Sequence, residues 1–528
     1  MKKLLYTILF TGILALSSCL EGLDQMPHTE DTSKNVYAEA ANYKAVLGKL
    51  YASYVIAGQE KGGENADLSS NSGQDYLRCY FNLQECGTDE LASTWLEGDK
   101  VTDLTYLSWD ANDPWVSDMY YRIYYTIALC NEFLRNAGDD QISKFTESEQ
   151  ANIRHYRAEA RFLRAMAYYH ALDLYRNIPF VTEVDPVGAF IPPRHEASQV
   201  FAYIESELKS IENDLFSRSK IEYGRAPKAA AYALLARLYL NAEIYLGEGH
   251  TKYTECIEYC NKVIAEGYTL EPDYKKLFNA DNHKRTNEII YAFPVDATNT
   301  VSWGSTTYIV CGAVSNTSDY QKPENYGVTS GWGMFRIRGE VSALFNENDG
   351  RALFFTEGQT QYLDVLDNQS NGYFVEKWTN LTDAGTGASN TADGGVNTDF
   401  PVFRLADVYL MLAEAVVRGG TGSSATIALG HVNDLRQRAF GDDYETKGKV
   451  VAAELTKDFI LDERARELYW EGVRRTDLVR YGKFTTASYI WQWKGGVKDG
   501  RAVDDKYKIY PIPTTDLTAN PNLWNKNY

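Results

Sequence analysis

The sequence predicts a mainly α protein: a tetratricopeptide-like scaffold of helical hairpins, interrupted by one loop-rich insertion. Three observations carry that expectation. Long segments repeat apolar residues at three- and four-residue spacing between recognisable caps. The helical segments come in pairs joined by short loops, the pattern of antiparallel neighbours. Between Tyr268 and Phe400 the periodicity fades, and Gly, Asn, Thr and Asp accumulate.

In chain order, Lys2 and Lys3 precede an apolar run from Leu4 to Leu16, then Ser17, Ser18 and Cys19. Residues 1–18 read as a secretory signal, too short to span a bilayer as a mature helix. Leu-Ser-Ser-Cys resembles a bacterial lipobox, which implies cleavage before Cys19 and a lipid on Cys19. Residues 19–41 then read as a lipidated, polar tether. The first amphipathic helix is expected from Asn42 to Val55. A second begins at Asp113, with Pro114 at its first position. The strongest begins at Thr146, where Glu149 completes a capping box, and stops at Asn177-Ile178-Pro179. Further helices follow in "ASQVFAYIESELKSIENDLF", "APKAAAYALLARLYLNAEIYL" and "KYTECIEYCNKVIAEG". The pair from Pro227 to Gly267, with small residues on its first helix, looks like a tetratricopeptide unit. Helices return at "FRLADVYLMLAEAVVRGG", "TIALGHVNDLRQRAF" and, as one stretch, "LTKDFILDERARELYWEGVRRTDLVRYG". The chain closes in a Pro-rich tail expected to wrap the body. Residues 42–528 are expected to form one domain, with scaffold at 42–267 and 400–528 and the insertion at 268–399.

Composition narrows the function. A net charge of −19 over 528 residues makes nucleic acid a poor partner. Beyond Cys19 there are six cysteines and no CxxC pair, so buried thiols are expected rather than a zinc ribbon. Seven histidines show no metal spacing; calcium on the acid-rich surface stays open without an assignable ligand set, and no cofactor is expected. The aromatic content is high: 39 Tyr, 21 Phe and 10 Trp. Tyr-packed helix cores account for most of these residues. Aromatics in Gly-rich loops suit a surface that is apolar yet hydrogen-bonding, as sugar rings require.

Seven segments in order carry a family resemblance: "RAEARFLRAMAYYHALDLYRNIPFV", "GRAPKAAAYALLARLYLNA", "NEIIYAF", "FRLADVYLMLAEA", "HVNDLRQRA", "ERARELYWEGVRRTDLVRYGKF" and "YPIPTTDLTANPNLWNKNY". Together they resemble the SusD/RagB family. The resemblance implies a helical, SusD-like, non-enzymatic outer-membrane lipoprotein on the cell surface. It also implies a SusC-like TonB-dependent transporter as partner and a glycan as ligand. Glu21 and Asp24 behind Cys19 resemble the surface-export tag of Bacteroidetes lipoproteins. "FNLQECGTDELASTW", "GSTTYIVCG", "TSGWGMF" and "YIWQWKGG" are similar to the family's starch-binding branch. That narrower resemblance implies an α-glucan or maltooligosaccharide ligand held by Arg78, Trp95, Trp303, Trp332 and Tyr308. The chain departs from the branch at Gly98, where the branch has an asparagine, and at Trp303, where it has a tyrosine.

Each residue also has a purely structural reading. Trp303 and Trp332 sit among glycines, which favours exposure. Trp95 follows a short helix-like stretch and divides evenly between ligand and core. Tyr308, in a strand-like "TYIV", equally suits the core. Arg78 could pair with Asp75. Trp491 and Trp493 alternate at strand spacing and, with Trp109, Trp115, Trp378, Trp470 and Trp524, suit the scaffold. Glu463, Glu467 and Glu471 read as a salt-bridged helix face; Arg404, Asp407 and Glu414 read as scaffold ion pairs. The rival class is a glycoside hydrolase, which needs two opposed carboxylates. Asp89-Glu90 is the one acid pair near a candidate sugar residue. A third class is a peptide-binding helical-repeat lipoprotein.

Overall fold

In the computed structural model the described residues are 33–60, 66–68, 74–188, 190–317, 319–389 and 395–524. The expected signal, the lipidation at Cys19 and most of the tether lie outside them.

The chain folds as a mainly helical body. The longer helices are α1 (Asn42–Ala52), α2 (Tyr76–Glu85), α3 (Pro114–Asn136), α4 (Glu147–Tyr175), α5 (Ala197–Ile211), α6 (Lys228–Leu240) and α7 (Tyr253–Ala265). They continue with α8 (Ser305–Gly312), α9 (Leu405–Val417), α10 (Ala425–Phe440), α11 (Lys457–Leu468) and α12 (Arg474–Arg480). Sequence neighbours pack as hairpins: α3 on α4, α4 on α5, α6 on α7, and α9 on α10, with α7 also against α9. The starts follow local chemistry. Asp113 accepts from the amides of Trp115 and Val116, and Thr146 with Glu149 forms the expected capping box. On α6, five alanines are fully buried and let a neighbouring helix approach closely.

Between α7 and α9 regular structure is sparse. Short strands β1 (Leu91–Ser93), β2 (Ile289–Phe293), β3 (Phe335–Ile337) and β4 (Phe400–Arg404) pair antiparallel, β1 with β3 and β2 with β4. The β1–β3 pair matters for the site, because it joins the region after α2 to the region after α8. One continuous apolar cluster runs from Tyr37 to Leu523. The tail does wrap the body: the Tyr510 amide donates to Leu174 O, its hydroxyl donates to Leu83 O, and the Thr514 amide donates to Ala111 O.

Three sequence expectations are corrected here. The single helix expected near residues 455–482 is two, α11 and α12, broken where Trp470 and Gly472 take positive φ of 59° and 72°. The break is held by tertiary contacts that periodicity cannot register: the Trp470 amide donates to Glu90 Oε2 (2.9 Å), and the Gly472 amide to Glu85 Oε1 (2.8 Å). Trp491 and Trp493 do not share a strand; Trp491 is fully buried, while Trp493 is left-handed at φ 68° with its indole N–H on Leu363 O. Trp524 is not packed into the scaffold but is 70% exposed.

The glutamates spaced every four residues do form ion pairs, but inside the protein rather than on a helix face. Glu467 receives Arg404 at 2.6 Å, Arg351 at 3.0 Å and Arg438; Glu463 receives Arg351 at 2.8 Å and Arg436 at 2.9 Å. Asp407 and Glu414 on α9 join this pattern through Arg464 (2.8 Å) and Arg480 (2.7 Å). The network ties α9, α10, α11, α12 and the segment around Arg351 together. The six cysteines beyond Cys19 are buried and free.

Burial alone would raise the Glu467 carboxyl, but Arg438, Arg404 and Arg351 pull it down to about 2; Glu414 is likewise brought to about 2 against burial, chiefly by Arg480. A depressed carboxylate gives stability that is fully present above its unfolded value near ~4.3 and lost as pH falls toward the folded value. Unfolding midpoints in urea are therefore expected to hold from pH 7 to about 5 and to drop steeply between about 4 and 2. Arg404→Ala, which strands buried carboxylates, is expected to cost about 3–5 kcal/mol in the same assay at pH 7.

Candidate glycan-binding site

The candidate residues converge from three separate parts of the chain. Helix α2 starts at Asp75, whose carboxylate caps it by accepting from the Arg78 amide (2.9 Å). The same carboxylate accepts from the Ser305 amide (3.1 Å) at the start of α8 and from the Ser302 hydroxyl. One buried acid thus fixes both ends of the short turn 302–305 that carries Trp303. Gly304 is required within that turn, because a β-carbon there would overlap the Asp75 carboxylate.

Arg78 does not pair with Asp75 through its guanidinium. That group donates to Asp99 and, at 2.6 Å, to the Trp303 carbonyl, and lies 4.0 Å above the Tyr308 ring. The Tyr308 hydroxyl donates to the other Asp99 oxygen (2.6 Å). Burial raises the Asp99 carboxyl above its ordinary range, with Arg78 opposing the rise. The Trp115 indole N–H donates to Asp99 O at 2.7 Å and closes the knot.

Two of the expected sugar contacts are buried. Tyr308 lies in helix α8 rather than a strand and is fully buried, covered by Arg78. Arg78 is only 7% exposed, and its guanidinium already holds Asp99 and Trp303. Both brace the turn that carries Trp303, and the Arg78 Nε has no hydrogen-bond partner among the described residues.

Two candidate tryptophans are exposed, and a third is partly buried beside them. Trp303 is 50% exposed and Trp95 42%, with Trp332 half-buried beside Trp303 at a ring-centroid distance of 6.2 Å and 49° between planes. Trp332 is seated by its amide on Cys311 O at the end of α8, and Gly333 by its amide on Val314 O. Trp95 follows strand β1, not a helix. Just before it, Thr94 extends the β1–β3 pairing: its amide donates to Met334 O and its hydroxyl to Gly333 O, both at 2.8 Å. Trp95 and Trp332 thus flank one ladder, while Trp303 hangs from the Asp75 turn. Sequence reasoning missed Asp75 as the shared cap and Asp99 as the Arg78 partner; "NSGQDYL" carried a cap signal, whereas Asp99 had none.

Asp89 and Glu90 are not poised for hydrolysis. Both are buried, Asp89 held by Arg474 at 2.6 and 2.7 Å, and Glu90 accepting from the Trp470 amide. Among the described residues no group of three His, Cys, Asp or Glu could hold a metal ion.

Comparison with known proteins decides the family. Residues 354–528 match the family model described as "SusD family", and residues 81–240 match one described as "Starch-binding associating with outer membrane". The chain is 32% identical to the starch-binding protein SusD of Bacteroides thetaiotaomicron, over 98% of this chain and 96% of that one. It belongs to the SusD family. A more distant relative, SusD-like protein P25 of Formosa agariphila, is 24% identical over 97% of this chain and 96% of its own. Among solved structures, a SusD superfamily protein of Parabacteroides distasonis superposes with a TM-score of 0.70 at 20% identity, covering 94% of this chain and all of that one. The surface glycan-binding protein A of Bacteroides thetaiotaomicron, solved with laminarihexaose, gives 0.70 at 18% identity, covering 92% and 99%. This SusD-family member thus has its relatives' fold over nearly its whole length.

Gly304→Ala is expected to push the turn off Asp75, costing about 1–3 kcal/mol of stability. The near-ultraviolet circular dichroism of the tryptophans should change even where the protein stays folded.

Proposed function

We propose that this SusD-family protein captures an α-glucan at the cell surface without chemistry and delivers it to a SusC-like TonB-dependent transporter. The observation that carries the reading is the trio Trp95, Trp303 and Trp332, held on a rigid frame. The apolar faces of glucose rings stack on such indoles while their edges hydrogen-bond nearby backbone and water. Neighbouring planes tilted by 49° suit a curved chain better than a flat one. The identity to a starch-binding relative supports α-glucan as the class. Lipidation at Cys19 would hold the protein at the outer membrane, in keeping with the description of the second matching family. A shallow site gives weak single-site affinity, and many copies on one surface supply avidity.

Gly98 bears on affinity. It is exposed, and a β-carbon there meets nothing within 4 Å, so the asparagine of the starch-binding branch would fit without rearrangement.

Isothermal calorimetry with maltoheptaose, cellohexaose and laminarihexaose tests the reading. Maltoheptaose is expected to bind best, and Trp332→Ala to weaken it at least tenfold, about 1.4 kcal/mol. Preference for laminarihexaose, or no heat with maltoheptaose, would overturn the α-glucan assignment. Gly98→Asn is expected to tighten maltoheptaose about threefold to tenfold, the worth of one added hydrogen bond.

A further inference from the structure

A cavity of about 530 Å³ lies away from the tryptophans and shares no residue with them. It opens where the loop between α5 and α6 meets the turn after α7 and strand β2. Its walls include Ile221, Pro227 and Ile289, and its polar lining includes Arg218, Glu266, Tyr223 and Tyr291.

Two features go beyond an incidental gap. Tyr223 is 41% exposed, yet its hydroxyl is tied to the buried Asp399, so the ring is held in place with a face open. Arg218 rests 4.6 Å over Tyr268 and donates to Gly267 O at 2.7 Å. Among the described residues neither Arg218 nor Glu266 has an ion-pair partner, so a donor and an acceptor of opposite charge line one space.

We propose that this cavity is a second saccharide site, taking a short neutral sugar rather than a long chain. The Tyr223 ring supplies the apolar stacking face. Arg218 and Glu266 supply a donor and an acceptor for neighbouring hydroxyls with no net charge. The volume falls within the range of small-molecule sites and holds one or two sugar rings. The site does not rest on the α-glucan reading of the tryptophans, and the two can fail separately.

The test uses maltose and cellobiose as probes on purified protein carrying Trp303→Ala and Trp332→Ala, with binding followed by saturation-transfer NMR and calorimetry. At least one disaccharide is expected to bind this double variant. Adding Tyr223→Ala should weaken it at least fivefold, since it removes the stacking face. Arg218→Ala, at a half-buried position, should weaken binding at least tenfold with the melting temperature kept. Absence of binding by both probes to the double variant overturns the proposal, even if wild type binds maltoheptaose. Unchanged affinity in Tyr223→Ala and Arg218→Ala overturns it equally. Wild type that ignores maltoheptaose while the cavity variants lose disaccharide would leave this site standing and remove the tryptophan reading.

Discussion

The structure depends on arginines buried against carboxylates. Desolvating such groups is costly, and their attraction offsets the cost only when the geometry is saturated. Here it is: Arg404 is 1% exposed and reaches Glu288, Glu467 and Glu471, while Arg351 is fully buried between Asp349, Glu463 and Glu467. Because each charge needs several partners drawn from distant segments, no helix of the C-terminal half can shift alone. An apolar core tolerates sliding; a network of bidentate pairs does not. The same logic recurs in miniature at the tryptophans, where Asp75 and Asp99 anchor a loop that has little regular structure of its own.

Much of the helical scaffold was legible because its signals are local. Caps at Asp113 and Thr146 and the 3.6-residue periodicity are read within a few residues of each other. What stayed hidden was set by contacts between segments far apart in sequence. The break at Trp470 exists because Glu85 and Glu90, nearly four hundred residues earlier, capture its amides. The strand-like look of "TYIV" yields to helix α8 because Asp75 caps that helix from across the chain. Strand β1, three residues long, has no periodicity to read.

The site divides along the same line. Glycine context pointed to exposure at Trp303 and Trp332; Trp303 is exposed, while Trp332 is partly buried against the core. Burial could not be judged for Tyr308 and Arg78, since it depends on Asp99, which nothing in the sequence marks. Trp524 shows the converse error: a residue inside a strongly family-like segment is still free to face solvent.

One consequence follows from how the tryptophans are hung. Trp95 and Trp332 flank the same two-stranded ladder, and Trp303 is pinned at both ends of its turn, so the spacing among the three indoles is set by backbone rather than by side-chain choice. The protein then behaves as a gauge. On the function proposed above, binding would order the ligand and leave the protein as it was, so the entropic cost would fall on the sugar chain. Ligands already closed into the matching curvature, such as rings, would then meet least of that cost, and lengthening a linear chain beyond the span of the gauge would add little.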